Sequence, residues 1–580
     1  MQLKKLHKEA LNYCQLNQLD QAEKIYEKIL KKFPRDIQSL SNLGLIYLQK
    51  GEFLKAEKIY DDLYKFERSI NFLKNYINLK FEIKKSDSIL KIIKENDPSL
   101  NIFFEQLLKA YRYLKRFDEA LELINNKNEK ELSSMSLVLE YYMIFNHNKK
   151  YDDAINILKE NENKFNNPDL LNINMGISLR NKSEYEQAIQ YLQKINIDKS
   201  ELSNEAKKEL IKNYLDISDI QSAEKLIENE RSDTLKSELV ALSGDYYVEK
   251  NLNKKAIKKY EEAIFLYEDN FAAKTSLAEI YLSNENYKEG FELYKWRVRR
   301  GIQLNKRFYV DDTDVIDIKN KEINIIGEQG IGDEIFYLRF LDLIEEKHRY
   351  KINLYIDERL LDLVKNNLSG FNSYPITHFN NNLKNNHVNI NIGSIPRLID
   401  WNPAEIKNVK FSKYNLIPRI SREKKRIGIS WSSKNVQLED YKSIKLEKLC
   451  EVFDNKKEDL EIISLQYGNW ISEFNKIKDK KKISIVFNEK DDLFNDINKL
   501  ISLVCSCDLV ITVCNVTAHI AGLFGIKTIL LVPRYHGRLW FWFGEKSRWY
   551  PNSIYYIQDE DKNWDNVIRN ISNKFWNILS

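Results

Sequence analysis

A small residue stands repeatedly 34 residues apart along the first half of the chain, each time in the same local setting. Ala22 in LDQAEKIYEKIL is followed by Ala56 in FLKAEKIYDDLY. Ala120, Ala154 and Ala188 sit in FDEALELI, YDDAINIL and YEQAIQYL, and Ala256 and Gly290 sit in KKAIKKYEEAI and YKEGFELY. A fixed period of this length admits few folds. Each repeat is one helical hairpin that cannot bury its apolar face alone, so neighbouring hairpins must stack. The small residue is required where the second helix of a hairpin presses its backbone against the first. Upstream lies the first-helix pattern, as in NLGLIYLQKGEF (Asn42–Phe53) and SLAEIYLSNENY (Ser276–Tyr287). An aromatic residue then fills the gap between hairpins: Phe53, Phe117, Tyr151, Tyr185 or Tyr287.

These residues resemble the tetratricopeptide repeat family, with about nine repeats over roughly residues 3–303. The units Ser69–Glu95 and Lys207–Glu230 are degenerate, and Ala223 is one residue out of step. The resemblance implies an α-solenoid, a right-handed superhelix whose concave groove holds a protein segment. The alternative use of such an array is to space or dimerise the rest of the chain. Asn42, Asn172 and Asn174 fall on first helices, where they could bond an extended backbone or face solvent.

A chain of 580 residues exceeds one hydrophobic core, so at least two domains are expected. Its 91 basic and 86 acidic residues nearly cancel, leaving +5. No basic stripe interleaved with aromatics is present, which argues against a nucleic-acid partner. The opening MQLKKLHKEALNY is polar and amphipathic rather than a secretion signal. Cys14, Cys450, Cys505, Cys507 and Cys514 are therefore expected to be reduced thiols of a cytoplasmic protein. Cys505, Cys507 and Cys514 read as small buried residues, since one CxC without a second pair is weak as a zinc site. The most apolar stretch, Leu509–Pro533, is broken by His519, Lys527 and turns, and reads strand–helix–strand, not membrane span.

After Arg300 the period changes. EINIIGEQGIGDEIFYLRFLDLI (Glu322–Ile344) reads as a buried strand, a glycine-rich turn and a helix over Glu334–Ile344. Further strands are expected at Ile352–Ile356, Val388–Ile392, Arg426–Trp431, Glu461–Gln466, Lys482–Phe487, Leu509–Val513 and Thr528–Pro533. Helical segments separate several of them, and the stretch from about Asp561 reads as a closing helix with Trp564, Val567, Ile568, Ile571 and Phe575 on one face. Such alternation implies parallel sheets that bind ligands at the strand carboxyl ends. The break PRISREKK (Pro418–Lys425) divides the region into two α/β lobes, with a cleft expected between 320–417 and 422–560.

Two motifs carry chemistry. Gly327-Glu328-Gln329-Gly330-Ile331-Gly332-Asp333 lacks the spacing of a dinucleotide fingerprint. It is a loop whose backbone can come close to a ligand, with an acid at a helix start. Asp333 either serves that ligand or simply caps the helix, worth about 1 kcal/mol. In LVITVCNVTAHIAGLFGIKTILLVP, a strand ends at Val513, Cys514 and Asn515 turn, and a helix runs from about Thr517 to Phe524. The free amides at that helix start attract a diphosphate. His519 in its first turn either donates to a phosphate oxygen or is a buried structural histidine, and Gly522 permits tight packing of helix on strand.

Together these elements resemble the heptosyltransferase-like branch of the two-lobed (GT-B) glycosyltransferases. The closest group fuses tetratricopeptide repeats to such a domain and includes flagellin glycosyltransferases. YKWRVRR (Tyr294–Arg300), GISWSS (Gly428–Ser433), Lys442-Ser443, SLQYG (Ser464–Gly468), Asn495-Asp496 and RLWFWFGEKSRWYP (Arg538–Pro551) belong to the same resemblance. It implies a repeat superhelix over 1–303, an acceptor-side lobe over 304–420 and a nucleotide-sugar lobe over 421–580. Asp333 takes the position of the general base that removes the acceptor's hydroxyl proton. Gly330 and Gly332 let amides approach the sugar or phosphate. Asn515, Thr517, His519 and Gly522 hold the nucleotide diphosphate, and Lys442 offsets its growing charge. Trp431, Gln466 and Tyr467 are the base and ribose contacts. No metal or other cofactor is expected, and inversion at the anomeric carbon follows from the resemblance. Where heptosyltransferases carry Asp-Thr, this chain has Cys514-Asn515.

The implied activity is sugar transfer from a nucleotide sugar to a hydroxyl of a protein held by the repeats, with a flagellin Ser or Thr as the suggested acceptor. Two other readings stand beside it: a non-catalytic repeat scaffold with a vestigial transferase domain, and a transferase acting on a surface polysaccharide or lipid-linked glycan.

Overall fold

The computed structural model describes residues 2–579 except 84, 100, 115, 128–131, 305–308, 317, 319–320, 345–348, 350, 380–386, 400–410, 412–423, 434–441, 455–456, 469, 482, 535–539, 543–546 and 561–562. Most of the break read at Pro418–Lys425, and Arg538 and Leu539 of the aromatic motif, lie outside the described residues. The chain divides into two compact units, Met1–Ala223 and Glu224–Ser580.

The first unit is a tetratricopeptide-type solenoid of antiparallel helical hairpins, beginning with α1 (Gln2–Gln15) and α2 (Leu19–Lys32). Every periodic small residue in it, Ala22, Ala56, Ala120, Ala154 and Ala188, is fully buried, as is the out-of-step Ala223. Close approach is also enforced from the other side of the hairpin. A Cβ on Gly44 would meet the Tyr60 ring at 2.7 Å, and in the second unit one on Gly244 would meet Tyr260 at 2.6 Å. The predicted gap-filling aromatics are each the first residue of a second helix, at Phe53, Phe117, Tyr151 and Tyr185, and at Tyr287 in the second unit. Among the described residues of this unit the backbone turns left-handed two residues before a second helix at Asn17, Gly51, Lys149, Ser183 and Ser218. That turn ends one helix and starts the next, and the non-glycine residues accept it at a cost of about 1 kcal/mol or more each. Asn42 is half-buried, and its amide donates to the Tyr26 hydroxyl at 2.9 Å.

The second unit begins with the hairpins α15 (Asp233–Glu249) with α16 (Asn253–Leu266) and α17 (Phe271–Ser283) with α18 (Tyr287–Tyr294). The short helix α19 (Arg297–Gln303) follows. In all, nine helical hairpins lie among the described residues before α19, and the helix Ile220–Glu228 spans the division between units.

Two parallel sheets complete this unit. The first, ordered β3-β2-β1-β4, comprises β1 (Ile323–Ile326), β2 (Ile352–Ile356), β3 (Asn372–Pro375) and β4 (Val388–Asn391). The second, ordered β6-β5-β7-β8-β9, comprises β5 (Lys425–Ser430), β6 (Leu460–Ser464), β7 (Leu509–Val513), β8 (Thr528–Val532) and β9 (Ser553–Ile557). Strands β1, β7 and β8 are buried at every position, as expected of parallel strands covered on both faces. The predicted strand Lys482–Phe487 is reduced to one bridge, Val486 to Ile463. Strands β3 and β9 were not expected from sequence. Both are sheet edges, and β3 alternates exposed and half-buried residues, so it carries no apolar run. The helices that matter for the site are α20 (Ile331–Leu341) after β1, α21 (Leu361–Asn367), α22 (Ile395–Leu398), α23 (Leu446–Leu449), α24 (Ile471–Lys481), α25 (Ile497–Cys505), α26 (Val516–Leu523) after β7, and the closing α27 (Asp565–Leu579). Among the described residues no helix is long and apolar enough to cross a membrane.

Candidate functional site

The loop between β1 and α20 is held on all sides before it delivers Asp333. Gly327 continues the sheet by donating to the Tyr355 carbonyl at 2.7 Å. Glu328, buried, pairs with Arg297 of α19 through contacts of 2.5 and 3.1 Å and also accepts the Gly393 amide at 2.8 Å. Gln329 takes a left-handed backbone, φ 64°, and its amide donates to the Tyr294 hydroxyl at 3.2 Å. Strain of this kind at a non-glycine residue persists only where neighbours over-determine it, and it gathers at functional loops.

Gly330 is then the N-cap of α20, and Asp333 at the third helical position accepts its amide at 3.2 Å. The capping role foreseen for Asp333 is thus present, and it leaves carboxylate lone pairs free for a ligand. Asp333 is half-buried. Burial pushes its carboxyl up to about 6, against the opposing pull of the Gly330 amide and the Lys442 charge. A carboxylate so placed is largely ionised at neutral pH yet more basic than a solvated aspartate. The next residue, Glu334, turns inward: it is buried, accepts the Asp357 amide at 2.9 Å, and is raised to about 8, chiefly by burial.

The second helix start faces this one. Asn515, the N-cap of α26, accepts from the amides of Thr517 and Ala518 at 3.0 and 3.4 Å and from the Thr512 hydroxyl at 3.0 Å. Its amide donates to Ser430 Oγ at 2.8 Å and the Ser432 carbonyl at 3.1 Å. Asparagine caps as well as aspartate does. Unlike a carboxylate it also donates, so it ties the β5 loop to α26 and adds no negative charge. The Thr517 hydroxyl is buried with no hydrogen-bond partner among the described residues.

His519 lies between two glycines. A Cβ on Gly332 would stand 3.1 Å from its Cδ2 and 3.5 Å from its Nε2. Behind it, His519 Nδ1 meets the Tyr550 hydroxyl at 2.7 Å. Gly522 was expected to pack helix on strand; its close neighbour is the Tyr550 ring, which a Cβ would strike at 2.1 Å. Phe541 and Trp542 complete an aromatic surround. Burial, with the nearby Arg339 and Lys442 charges, drives the imidazole well below its ordinary range, so it is neutral.

Lys442 is buried, and among the described residues no ion-pair or hydrogen-bond partner engages its ammonium. Its field reaches both Asp333 and His519. The remaining predicted contacts are less open. Trp431 is 1% exposed, stands in the core against Trp470, and spends its indole N–H on Glu473 at 2.9 Å. Gln466 accepts the amides of Trp431 and Ser432, both at 2.9 Å, and donates to the Tyr467 carbonyl at 3.1 Å. Both side chains are thus occupied in holding the loop after β5. Tyr467 is nearly buried and packs against Phe494.

Sequence reasoning singled out one acid, one histidine and one lysine that the fold brings together. Arg297, Glu328, Tyr550 and Arg339 all lie in stretches the sequence reading quoted, but it gave none of them a role, because each acts through neighbours rather than at a motif's conspicuous position. Among the described residues no group of three or more His, Cys, Asp or Glu side chains is arranged to hold a metal ion.

The repeats define the class that comparison supports. A family model of the tetratricopeptide repeat matches residues 7–69 and 242–295. Among solved structures, a tetratricopeptide repeat protein from Parabacteroides merdae is similar over 47% of this chain and 96% of its own, at 16% identity and a TM-score of 0.29. The APC/C hetero-tetramer Cut9-Hcn1 is similar over 50% of this chain and 57% of its own, at 15% identity and a TM-score of 0.28. A comparison with curated proteins finds no match. The chain therefore carries tetratricopeptide repeats, a fold that generally mediates protein interaction, joined to parallel α/β layers.

Proposed function

We propose that the α/β part is an inverting glycosyltransferase of the two-lobed GT-B type, moving a sugar from a nucleotide-sugar donor to a hydroxyl of a protein recruited by the repeats. One observation carries this reading. The start of α20, bearing Asp333, abuts the start of α26, bearing His519, and the Lys442 ammonium, which has no ion-pair partner among the described residues, acts on both. Two positive helix ends and a buried cation make a site for a polyanion. A base raised to about 6 beside that site suits removal of a hydroxyl proton.

In this reading Asp333 accepts the acceptor's proton as its oxygen attacks the anomeric carbon, and the diphosphate departs toward α26. Fixed amide dipoles, Lys442 and His519 stabilise the leaving charge in place of a metal ion. Gly330 and Gly332 keep the α20 start free of side chains, and Tyr467 is the more accessible of the proposed base and ribose contacts. The repeats supply the protein acceptor, for which a flagellin Ser or Thr in the cytoplasm is our specific suggestion.

The test is donor binding and hydrolysis over a panel of nucleotide sugars, comparing wild type with Asp333→Asn, followed by intact mass of a co-expressed flagellin. Binding retained with turnover lost supports Asp333 as base, and a hexose-sized mass gain on the flagellin supports the acceptor. A wild type that binds no nucleotide sugar overturns the reading and leaves a repeat scaffold. Turnover without modification of any protein acceptor points instead to a polysaccharide or lipid-linked glycan.

A further inference from the structure

Tyr550 is 1% exposed, so its hydroxyl proton must be received by a protein atom. The Arg339 guanidinium, itself 2% exposed, lies over the Tyr550 ring, 4.4 Å from its centroid. Arginine has donors and no acceptor, so it cannot receive that proton. Arg339 is fixed in that position, because its Nε donates to the Phe336 carbonyl at 2.9 Å and Nη1 to the Trp549 carbonyl at 2.7 Å. Among the described residues the acceptor within reach of the Tyr550 hydroxyl is His519 Nδ1, at 2.7 Å.

We infer that Tyr550 is a positioning residue that locks His519 in the tautomer protonated at Nε2, and that this N–H is held out to a phosphoryl oxygen at the start of α26. The second half of the inference rests on the proposed diphosphate site; the first does not. A neutral imidazole has one N–H, and an Nδ1 that accepts from Tyr550 puts it on Nε2. Nε2 is the ring nitrogen turned toward Gly332 and the α20 start. Among the described residues no acceptor for it is found. Gly522 belongs to the same device, since any side chain there would displace the ring that sets the tautomer.

The experiment is nitrogen NMR of the full-length chain labelled in histidine, with His519 assigned by its loss in His519→Gln. Wild type should show Nδ1 unprotonated and Nε2 protonated without any ligand. Tyr550→Phe should abolish that preference and weaken inorganic pyrophosphate about tenfold. His519→Gln keeps an N–H donor near the Nε2 position, so it should retain most of the affinity, and adding Tyr550→Phe to it should cost little more. That non-additivity separates positioning from mere packing. A protonated Nδ1 in wild type overturns the tautomer, and needs no variant to fold. Equal losses from Tyr550→Phe in both backgrounds, or no pyrophosphate binding by wild type, overturn the phosphoryl contact. If the tautomer holds but no nucleotide sugar is turned over, the transferase reading falls and the tautomer assignment stands.

Discussion

Arg297 and Glu328 form a buried ion pair that fastens helix α19, just past the last repeat hairpin, to the loop that carries Asp333. Neither group has water to fall back on: the Glu328 side chain is wholly buried and that of Arg297 nearly so. The pair is completed by Ser394 Oγ at 3.1 Å from Arg297 and by the Gly393 amide on Glu328. Removing one partner strands a charge, which typically costs about 3–5 kcal/mol. Arg297→Met should lose that much stability in urea denaturation, and Arg297→Met with Glu328→Leu should recover part of it. If the double variant is no better than the single, the pair is not the coupling between these elements.

On the proposed transferase reading, Asp333 should make stability and turnover move in opposite directions with pH. Its carboxyl sits at about 6 when folded and near 3.8 when unfolded, so the folded state holds the proton more tightly. The resulting cost is absent below pH 4, grows as pH rises to 6, and is full above that. Asp333→Asn keeps an oxygen to accept the Gly330 amide but never ionises. It should be more stable than wild type at pH 7.5, on the order of 1–3 kcal/mol, and indistinguishable near pH 4. Wild-type turnover should rise with pH through about 6 to a plateau. Thermal melts at the two pH values and a pH–rate profile check both arms.

Glu334 follows the same sign over a different window. Its folded value of about 8 against 4.5 unfolded means that it is neutral at pH 7 and that it costs stability increasingly between pH 4.5 and 8. Glu334→Gln is isosteric and can still accept the Asp357 amide. It should therefore be tolerated at pH 5 and stabilising at pH 8.5, in paired denaturation curves. A loss at both would mean that a charged Glu334 is needed.

Gly522→Ala sets two effects against each other. Alanine favours helix by about 1 kcal/mol over glycine. The new Cβ, however, would lie 2.1 Å from the Tyr550 ring, which is buried and cannot yield without moving Arg339 and His519. Overpacking of this kind costs about 1–3 kcal/mol, so the clash should win. The variant should lose stability in urea denaturation and weaken pyrophosphate by about tenfold or more, read by calorimetry. Unchanged affinity would show that the Tyr550 ring position is unimportant to the site.

The repeat half could be read because its signal is periodic: the alanines at the 34-residue spacing are fully buried and Gly290 is buried as well. Central parallel strands were legible for a similar reason, since β7 and β8 are buried at every position and their runs are mostly apolar. Edge strands β3 and β9 were not, because an edge tolerates exposed residues. At the site, Asp333 and His519 stood at helix starts that a motif reveals. Tyr550 follows His519 by 31 residues and meets it only through the tertiary fold, so no local pattern announces it. Trp431 and Gln466, strand-end residues expected as ligand contacts, also make hydrogen bonds that fix the β5 loop, a role the sequence did not reveal.

Lys442 offers the sharpest separation of folding from function. A buried ammonium without an ion-pair partner among the described residues is a liability to the folded chain, because desolvation disfavours the charge. Methionine keeps the length and apolar stem and removes the charge, so Lys442→Met should leave stability unchanged or raise it. The same change should cost pyrophosphate or nucleotide diphosphate affinity on the order of a hundredfold, within the range of removing a charge-assisted contact. It should also flatten the dependence of that affinity on salt, since the cation that responds to screening is gone. Calorimetric titration at two salt concentrations beside a thermal melt gives all three readings. Stability lost together with affinity would mean that Lys442 has a structural partner, and that the buried cation is not held in reserve for an anion.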